Sequence, residues 1–230
     1  MKELEDLSST SVPDIYPLTV VSLEAMCAAS SDPVINTIEH IFSLYEEYGN
    51  ADYIGEPVSM LEHALQAANC ARLAHSSDEE ILGALLHDIG HIIGMKSIAS
   101  TKESQYKQMD GCGIMDHENI GAEYLKQAGF SQGVAEICRG HVSAKRYLCY
   151  KNPNYMAKLS DASKTTLGFQ GGPMTQKEAE EFESNPYHLA ILRMRSYDEA
   201  AKVPGKSVPN LDSYRELMRL NICSNLVKTR

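Results

Sequence analysis

The chain predicts an all-α fold built as one domain, and three observations carry that prediction. Apolar residues recur at helical spacing along most of its length, capping-box pairs stand where helices should start, and no segment alternates apolar and polar residues as a half-buried strand would. With 230 residues, 43% hydrophobic and 23% charged, it is long enough for one sizeable core. No internal repeat or shift of composition divides it.

Residues 1–50 are predicted as an N-terminal extension and 51–230 as the domain proper. The extension begins acidic, passes Pro13, Pro17 and Pro33, and ends in one helix with apolar positions at 34, 35, 38, 41, 42 and 45, closed by Gly49-Asn50. Ser59 with Glu62 then forms a capping-box pair, in which the hydroxyl takes a free helical amide and the carboxylate reaches back, so a helix should run to about Leu73. Ser77 and Glu80 repeat the spacing ahead of Ile81-Leu-Gly-Ala-Leu-Leu-His-Asp-Ile-Gly-His-Ile-Ile. That run predicts a single core helix, buried on nearly every side and carrying His87, Asp88 and His91. Residues 94–115, with Gly111-Cys-Gly113, are expected as a loop. Helices follow near 117–127, stopped by Gly129, and near 132–149, 154–167, 176–183, 187–201 and 211–220. Thr175 with Glu178 caps the fourth of these after the Gly171-Gly-Pro173 turn.

Charge and cysteine usage remove several function classes. Twenty-one basic residues against 31 acidic ones give a net charge of −10, which repels polyanions and predicts no nucleic-acid partner. No apolar run approaching a membrane span stands out, and the start, with Lys2, Glu3, Glu5 and Asp6, lacks the basic region of a signal peptide, so no membrane association and a cytoplasmic location are expected. The six cysteines, at 27, 70, 112, 138, 149 and 223, form no C-x-x-C pair and are expected as free thiols. Thiolate zinc sites and redox dithiols are thereby disfavoured.

Histidine and carboxylate chemistry is left. His63, His87, His117 and His141 each fall inside or at the start of a predicted helix, with Asp88 beside His87. A single helical histidine is most often structural, but an ionised aspartate in the most apolar helix of the chain is costly without a compensating cation or hydrogen-bond network. Imidazoles with carboxylates and no thiolate suit iron, manganese or zinc, and the two oxygens of one aspartate can bridge two ions.

The ordered set His63, His87-Asp88, His117, His141 and a later aspartate resembles the HD-domain superfamily of helical metalloproteins, over about residues 53–202. Most of that superfamily are phosphohydrolases. Three further segments resemble its mixed-valent diiron oxygenase branch, in particular the enzymes that cleave phosphonates. Tyr53-Ile-Gly-Glu56 resembles their Tyr-x-x-Glu segment, His91 and Lys145 follow His87 and His141 by four residues, and Leu192-Arg-Met-Arg-Ser-Tyr-Asp-Glu-Ala-Ala-Lys202 resembles a block with Arg-x-x-Asp. Myo-inositol oxygenase shares the scaffold, but a polyol would not require so much positive charge as His91, Lys145 and Arg195 supply.

The resemblance implies an HD-domain helical bundle holding two iron ions as Fe(II)/Fe(III), with O2 as co-substrate and a small organophosphonate as substrate. It implies His63, His87, Asp88 and Asp198 around one iron, and Asp88, His117 and His141 around the other. Asp161, on a predicted helix 20 residues after His141, is a rival to Asp198. Tyr53 would gate the iron, Glu56 would receive the substrate amine, and His91, Lys145, Ser163, Thr166 and Arg195 would hold the phosphonate. The implied reaction is oxidative C–P cleavage of a 1-hydroxy-2-(amino or trimethylammonio)ethylphosphonate to phosphate and glycine or glycine betaine. Two other readings stand beside it: a metal-dependent HD phosphohydrolase of a phosphate ester or nucleotide, which leaves Tyr53 and Glu56 without a role, and a catalytically silent helical binding module.

Overall fold

The capping boxes read in the sequence are formed. Ser59 and Glu62, Ser77 and Glu80, and Thr175 and Glu178 each exchange hydroxyl and carboxylate contacts with the opposite backbone amide, satisfying donors that a helix start would otherwise leave free. The computed structural model describes residues 32–53, 55–100 and 106–228; the acidic, proline-punctuated beginning of the chain lies outside them. Among the described residues the elements are α1 (Pro33–Tyr48), α2 (Met60–Leu73), α3 (Asp78–Leu86), α4 (Ile89–Ser100), α5 (His117–Gln127), α6 (Gln132–Lys151), α7 (Pro153–Lys158), α8 (Asp161–Phe169), α9 (Gln176–Ser184), α10 (His188–Ala200) and α11 (Arg215–Lys228), with a 3-10 turn at Leu211–Tyr214. No strand occurs among them; two isolated bridges, Asp52 with Ser59 and Gln108 with Ile114, tie loops together.

Four segments differ from expectation, each for a local reason. The predicted core helix is broken at His87-Asp88 into α3 and α4. Neighbouring residues on a straight helix point about 100° apart, so a break lets both side chains address one centre. The carbonyls released at the break are still bonded: Leu85 O accepts from Tyr45 Oη at 2.9 Å and His87 O from Cys138 Sγ at 3.2 Å. Second, α4 continues to Ser100 where a loop from 94 was expected. Gly94 is not a stop; a Cβ there would lie 2.5 Å from Ile114 Cγ1, so the glycine allows the following segment to pack on the helix. Third, the span expected as one helix over 154–167 is divided at Leu159-Ser160, where Ser160 Oγ caps α8 by accepting from Ser163 N–H. Fourth, the final helix runs on to Lys228.

α6 packs against α3, α5 and α10, and α2 against α3 and α10, so the broken α3/α4 segment lies inside the bundle. α1 buries Val34, Ile38, Ile41, Phe42, Leu44 and Tyr45, and Asp32–Arg230 forms one compact unit that includes it. Asp78–Ser100 is long and apolar enough by composition to cross a membrane, yet 72% of its most apolar window is buried within the bundle. Its apolarity is accounted for by core packing.

Where α4 meets α5 the backbones nearly touch: a Cβ on Gly90 would lie 1.9 Å from His117 O. Gly90→Ala therefore has to push the start of α5 away. The expected cost is about 2 kcal/mol or more, measurable as a lowered urea midpoint with an unchanged m-value.

Candidate active site

Six side chains from five segments form one buried cluster centred on Asp88. His63 comes from α2, His87 and Asp88 from the break between α3 and α4, His117 from the first residue of α5, His141 from α6 and Asp198 from α10. All six are buried. On one side, Asp88 Oδ2 lies 3.0 Å from His87 Nε2 and 3.7 Å from His63 Nε2, and Asp198 Oδ1 lies 3.4 Å from that same His63 nitrogen. On the other side, Asp88 Oδ1 lies 3.4 Å from both His117 Nε2 and His141 Nε2. One carboxylate thus offers one oxygen to each pair of imidazoles.

The far nitrogens fix how the rings face. Nδ1 of His63, His87, His117 and His141 meets the carbonyls of Ala201, Ala84, Ile114 and Cys138 at 2.9, 2.8, 3.1 and 2.7 Å. A carbonyl can only accept, so each Nδ1 carries the hydrogen and each Nε2 presents a lone pair inward. The inward nitrogens stand 3.1 Å apart for His63 and His87 and 2.9 Å apart for His117 and His141. Opposed lone pairs at that distance need a proton or a metal cation between them. Asp88 Oδ2, buried and without a hydrogen-bond partner, supports the same reading. Burial works against charge on both carboxylates, but His87 holds Asp88, and Arg195 holds Asp198, well below the ordinary carboxylate range. Burial would also lower His87, yet Asp88 outweighs it and lifts the imidazole to about 9, so His87 Nε2 holds a proton wherever no metal takes its lone pair, while burial takes His141 down to about 3. The donor set fits metal.

His91 differs from the other four. It too comes close to Asp88 and His117, with its ring stacked on His117 at 3.8 Å, but its Nδ1 accepts from Ile114 N–H at 2.9 Å. The hydrogen is therefore on Nε2, which is buried and unpartnered. His91 is a donor facing the cavity, and His141 completes the second lobe.

The cavity beside the cluster is lined by Tyr53, Glu56, His91, Lys145, Ser163, Thr166 and Arg195, together with Asp88, His117, His141 and Asp198. Every site residue expected from the sequence is thus brought to one cavity or buried beside it, with His63 and His87 behind. Tyr53 lies face to face on His63 at 3.8 Å, and burial, then the charges of Asp88 and Asp198, push its phenol well above its ordinary value. Arg195 is anchored through Nη1 on Asp198 and through Nε on Tyr155 Oη and Glu199 at 3.0 Å each, which leaves its buried Nη2 unpartnered. Lys145 Nζ donates to Thr166 Oγ1 at 2.9 Å, and burial with Arg195 nearby brings its pKa down to about 8. Asp161, the rival carboxylate, is fully exposed and pairs with Lys164 at 3.7 Å.

Sequence reading missed Lys202, Gln66, Ser160 and Tyr155. Lys202 and Ser160 hold Glu56, Gln66 clips Val203, and Tyr155 braces Arg195. Lys202 stands at the end of the Arg-x-x-Asp block, at i+4 from Asp198, and that spacing was the available signal.

A helical bundle carrying this histidine and aspartate set is an HD domain: the HD domain family matches residues 60–168, and the chain belongs to that superfamily. Its similarity extends further along the chain. It is 42% identical to an uncharacterized protein of Acanthamoeba polyphaga mimivirus, over 81% of this chain and 82% of that protein. It is 42% identical to the [1-hydroxy-2-(trimethylamino)ethyl]phosphonate dioxygenase (glycine-betaine-forming) of Leisingera caerulea, over 76% and 85%, and 40% identical to the hydroxymethylphosphonate dioxygenase of Gimesia maris, over 77% and 84%. Within the superfamily it falls in the phosphonate-oxygenase branch.

Metal binding to this cluster should stabilise the fold. Ferrous iron at one hundred times its dissociation constant would add about 2.7 kcal/mol, a rise of roughly 5–10 °C in melting temperature for a chain of this size. Differential scanning fluorimetry of chelator-treated protein should show that rise in the wild type and in Asp161→Ala, and little of it in Asp88→Asn.

Proposed function

We propose that the protein is a diiron oxygenase that cleaves the carbon–phosphorus bond of a small 1-hydroxyphosphonate with O2. The observation that carries this is one cavity in which the two-lobed cluster around Asp88 faces a wall of anion donors: His91 Nε2, the free Nη2 of Arg195 and Lys145. The phosphonate names of two relatives support it. His63, His87, Asp88 and Asp198 would hold one iron, and Asp88, His117 and His141 the other. Iron, once bound, supplies the one-electron chemistry and the O2 site that side chains lack.

The chain's own residues do the rest. Arg195 presents a fixed planar donor to phosphonate oxygens, and its anchoring by Asp198, Glu199 and Tyr155 means little is lost in ordering it on binding. Lys145, brought down to about 8, regains full charge beside a dianion; Thr166 orients it from α8, and Ser163 lines the same cavity. His91 donates from the metal side. Tyr53 covers the His63 lobe and would give way as substrate arrives, so that oxidant chemistry starts with a hydrogen donor in place. Glu56 would receive a substrate ammonium. In the overall balance, RCH(OH)PO3H2 and O2 give RCOOH and H3PO4. The candidate substrates that the resemblance implies are 2-amino-1-hydroxyethylphosphonate, yielding glycine, and its N-trimethyl form, yielding glycine betaine.

The iron-loaded protein should consume O2 and release phosphate together on one of these phosphonates. Phosphate released from a panel of phosphate esters without O2 uptake would instead establish a phosphohydrolase. Asp198→Ala should bind less than two irons per chain while Asp161→Ala stays near two; the reverse result would reassign the last ligand. Tyr53→Phe should abolish the tyrosinate-to-Fe(III) absorption of the oxidised protein, and a wild type without that band would remove Tyr53 from the resting metal.

A further inference from the structure

Glu56 is already occupied. Its Oε1 accepts from Lys202 Nζ at 2.6 Å and from Ser160 Oγ at 2.7 Å, and both charged side chains line the cavity that holds Asp88, Lys145 and Arg195. Although burial opposes it, these two bonds hold Glu56 below the ordinary carboxylate value. Glu56 thus stands in a formed ion pair within the cavity, where it was expected to receive a substrate amine.

Lys202 is held more firmly than its place after α10 suggests. The carbonyl of Ala201, just before it, accepts from His63 Nδ1 at 2.9 Å. The residue just after it, Val203, is clipped by both atoms of the Gln66 amide: Gln66 Nε2 donates to Val203 O at 2.8 Å, and Val203 N–H donates to Gln66 Oε1 at 3.1 Å. Two residues of α2 thus fix the backbone on either side of Lys202, and the lysine is aimed from that anchor at Glu56. Arg195 lines the same cavity, its charge matched by Asp198 and Glu199.

We infer that Lys202 is a specificity-determining residue, competing with the substrate's own substituent for Glu56; the inference rests on the phosphonate reading of the cavity. A substrate ammonium can reach Glu56 once the lysine ammonium is displaced, and the displaced charge must then remain beside both the substrate cation and Arg195. An uncharged substituent leaves the pair intact. The site therefore discriminates against a cationic substituent and in favour of a compact uncharged one, relative to the same site with Glu56 free.

Calorimetric binding tests this without turnover, using 2-aminoethylphosphonate and n-propylphosphonate on anaerobic, iron-loaded protein. The two match in shape, differ by the ammonium and lack the C1 hydroxyl. Lys202→Met, which keeps the aliphatic stem, should tighten the aminoethyl ligand at least tenfold relative to the propyl ligand; Lys202→Gln serves if the methionine variant does not fold. Glu56→Gln in the same background should cancel that gain. Equal changes for both ligands on Lys202→Met would make the lysine a general phosphonate attractor and overturn the inference. Failure of the wild type to bind either ligand would overturn the phosphonate reading itself, and the inference with it.

Discussion

The structure depends on one buried carboxylate serving two directions. Asp88 must show an oxygen to His63 and His87 and another to His117 and His141, and an ionised group in that setting is tolerated only with matched positive charge around it. Much of the bundle follows from meeting this condition. The α3/α4 helix breaks so that His87 and Asp88 face the same centre, Tyr45 and Cys138 take the carbonyls that the break releases, and Gly90 lets the α5 backbone approach close enough to place His117. Asp116, in left-handed conformation at φ 64°, turns the chain into that helix, a strained backbone position of the kind that gathers at functional sites.

The four tethered Nδ1 atoms extend the same logic outward. Three of the accepting carbonyls lie three residues before their histidine, at Ala84, Ile114 and Cys138. Those rings are oriented by their own chain, so little distant packing is needed to aim them. His63 is the exception, reaching across to Ala201. Through it the α2 lobe is coupled to the segment after α10 that carries Lys202, so metal geometry and the far wall of the cavity share one backbone segment.

What the sequence made legible follows this division. Helix starts were readable because capping boxes are local chemistry, and the clustered histidines because their order on helices is a one-dimensional signal. The break at His87-Asp88 was not, because its neighbours are uniformly apolar and its cause, convergence on a common centre, is tertiary. The continuation of α4 past Gly94 was hidden because the residue that requires this glycine's small size, Ile114, lies 20 positions later. The choice between Asp198 and Asp161 was open in one dimension, since both sit on helices after His141; burial separates them, with one inside beside His63 and the other fully exposed. The Glu56 pairing was invisible because its partners are 104 and 146 residues away.

Charge shows the same contrast between sum and arrangement. The chain carries −10 overall, yet Lys145, Arg195 and Lys202 all line the cavity. Beyond roughly 8 Å in physiological salt the net charge is largely screened, so a small dianion at the cavity mouth responds to these three residues and to the carboxylates paired with them. Arg195 is neutralised by Asp198 and Glu199, and Lys202 by Glu56. Lys145, bonded to the neutral hydroxyl of Thr166, has no carboxylate in salt-bridge contact among the described residues. On the proposed reading, an incoming phosphonate would be drawn most strongly to the Lys145 side of the cavity, with its other end toward Glu56 and Lys202. On that reading, orientation of the ligand would be set by which cations already have partners.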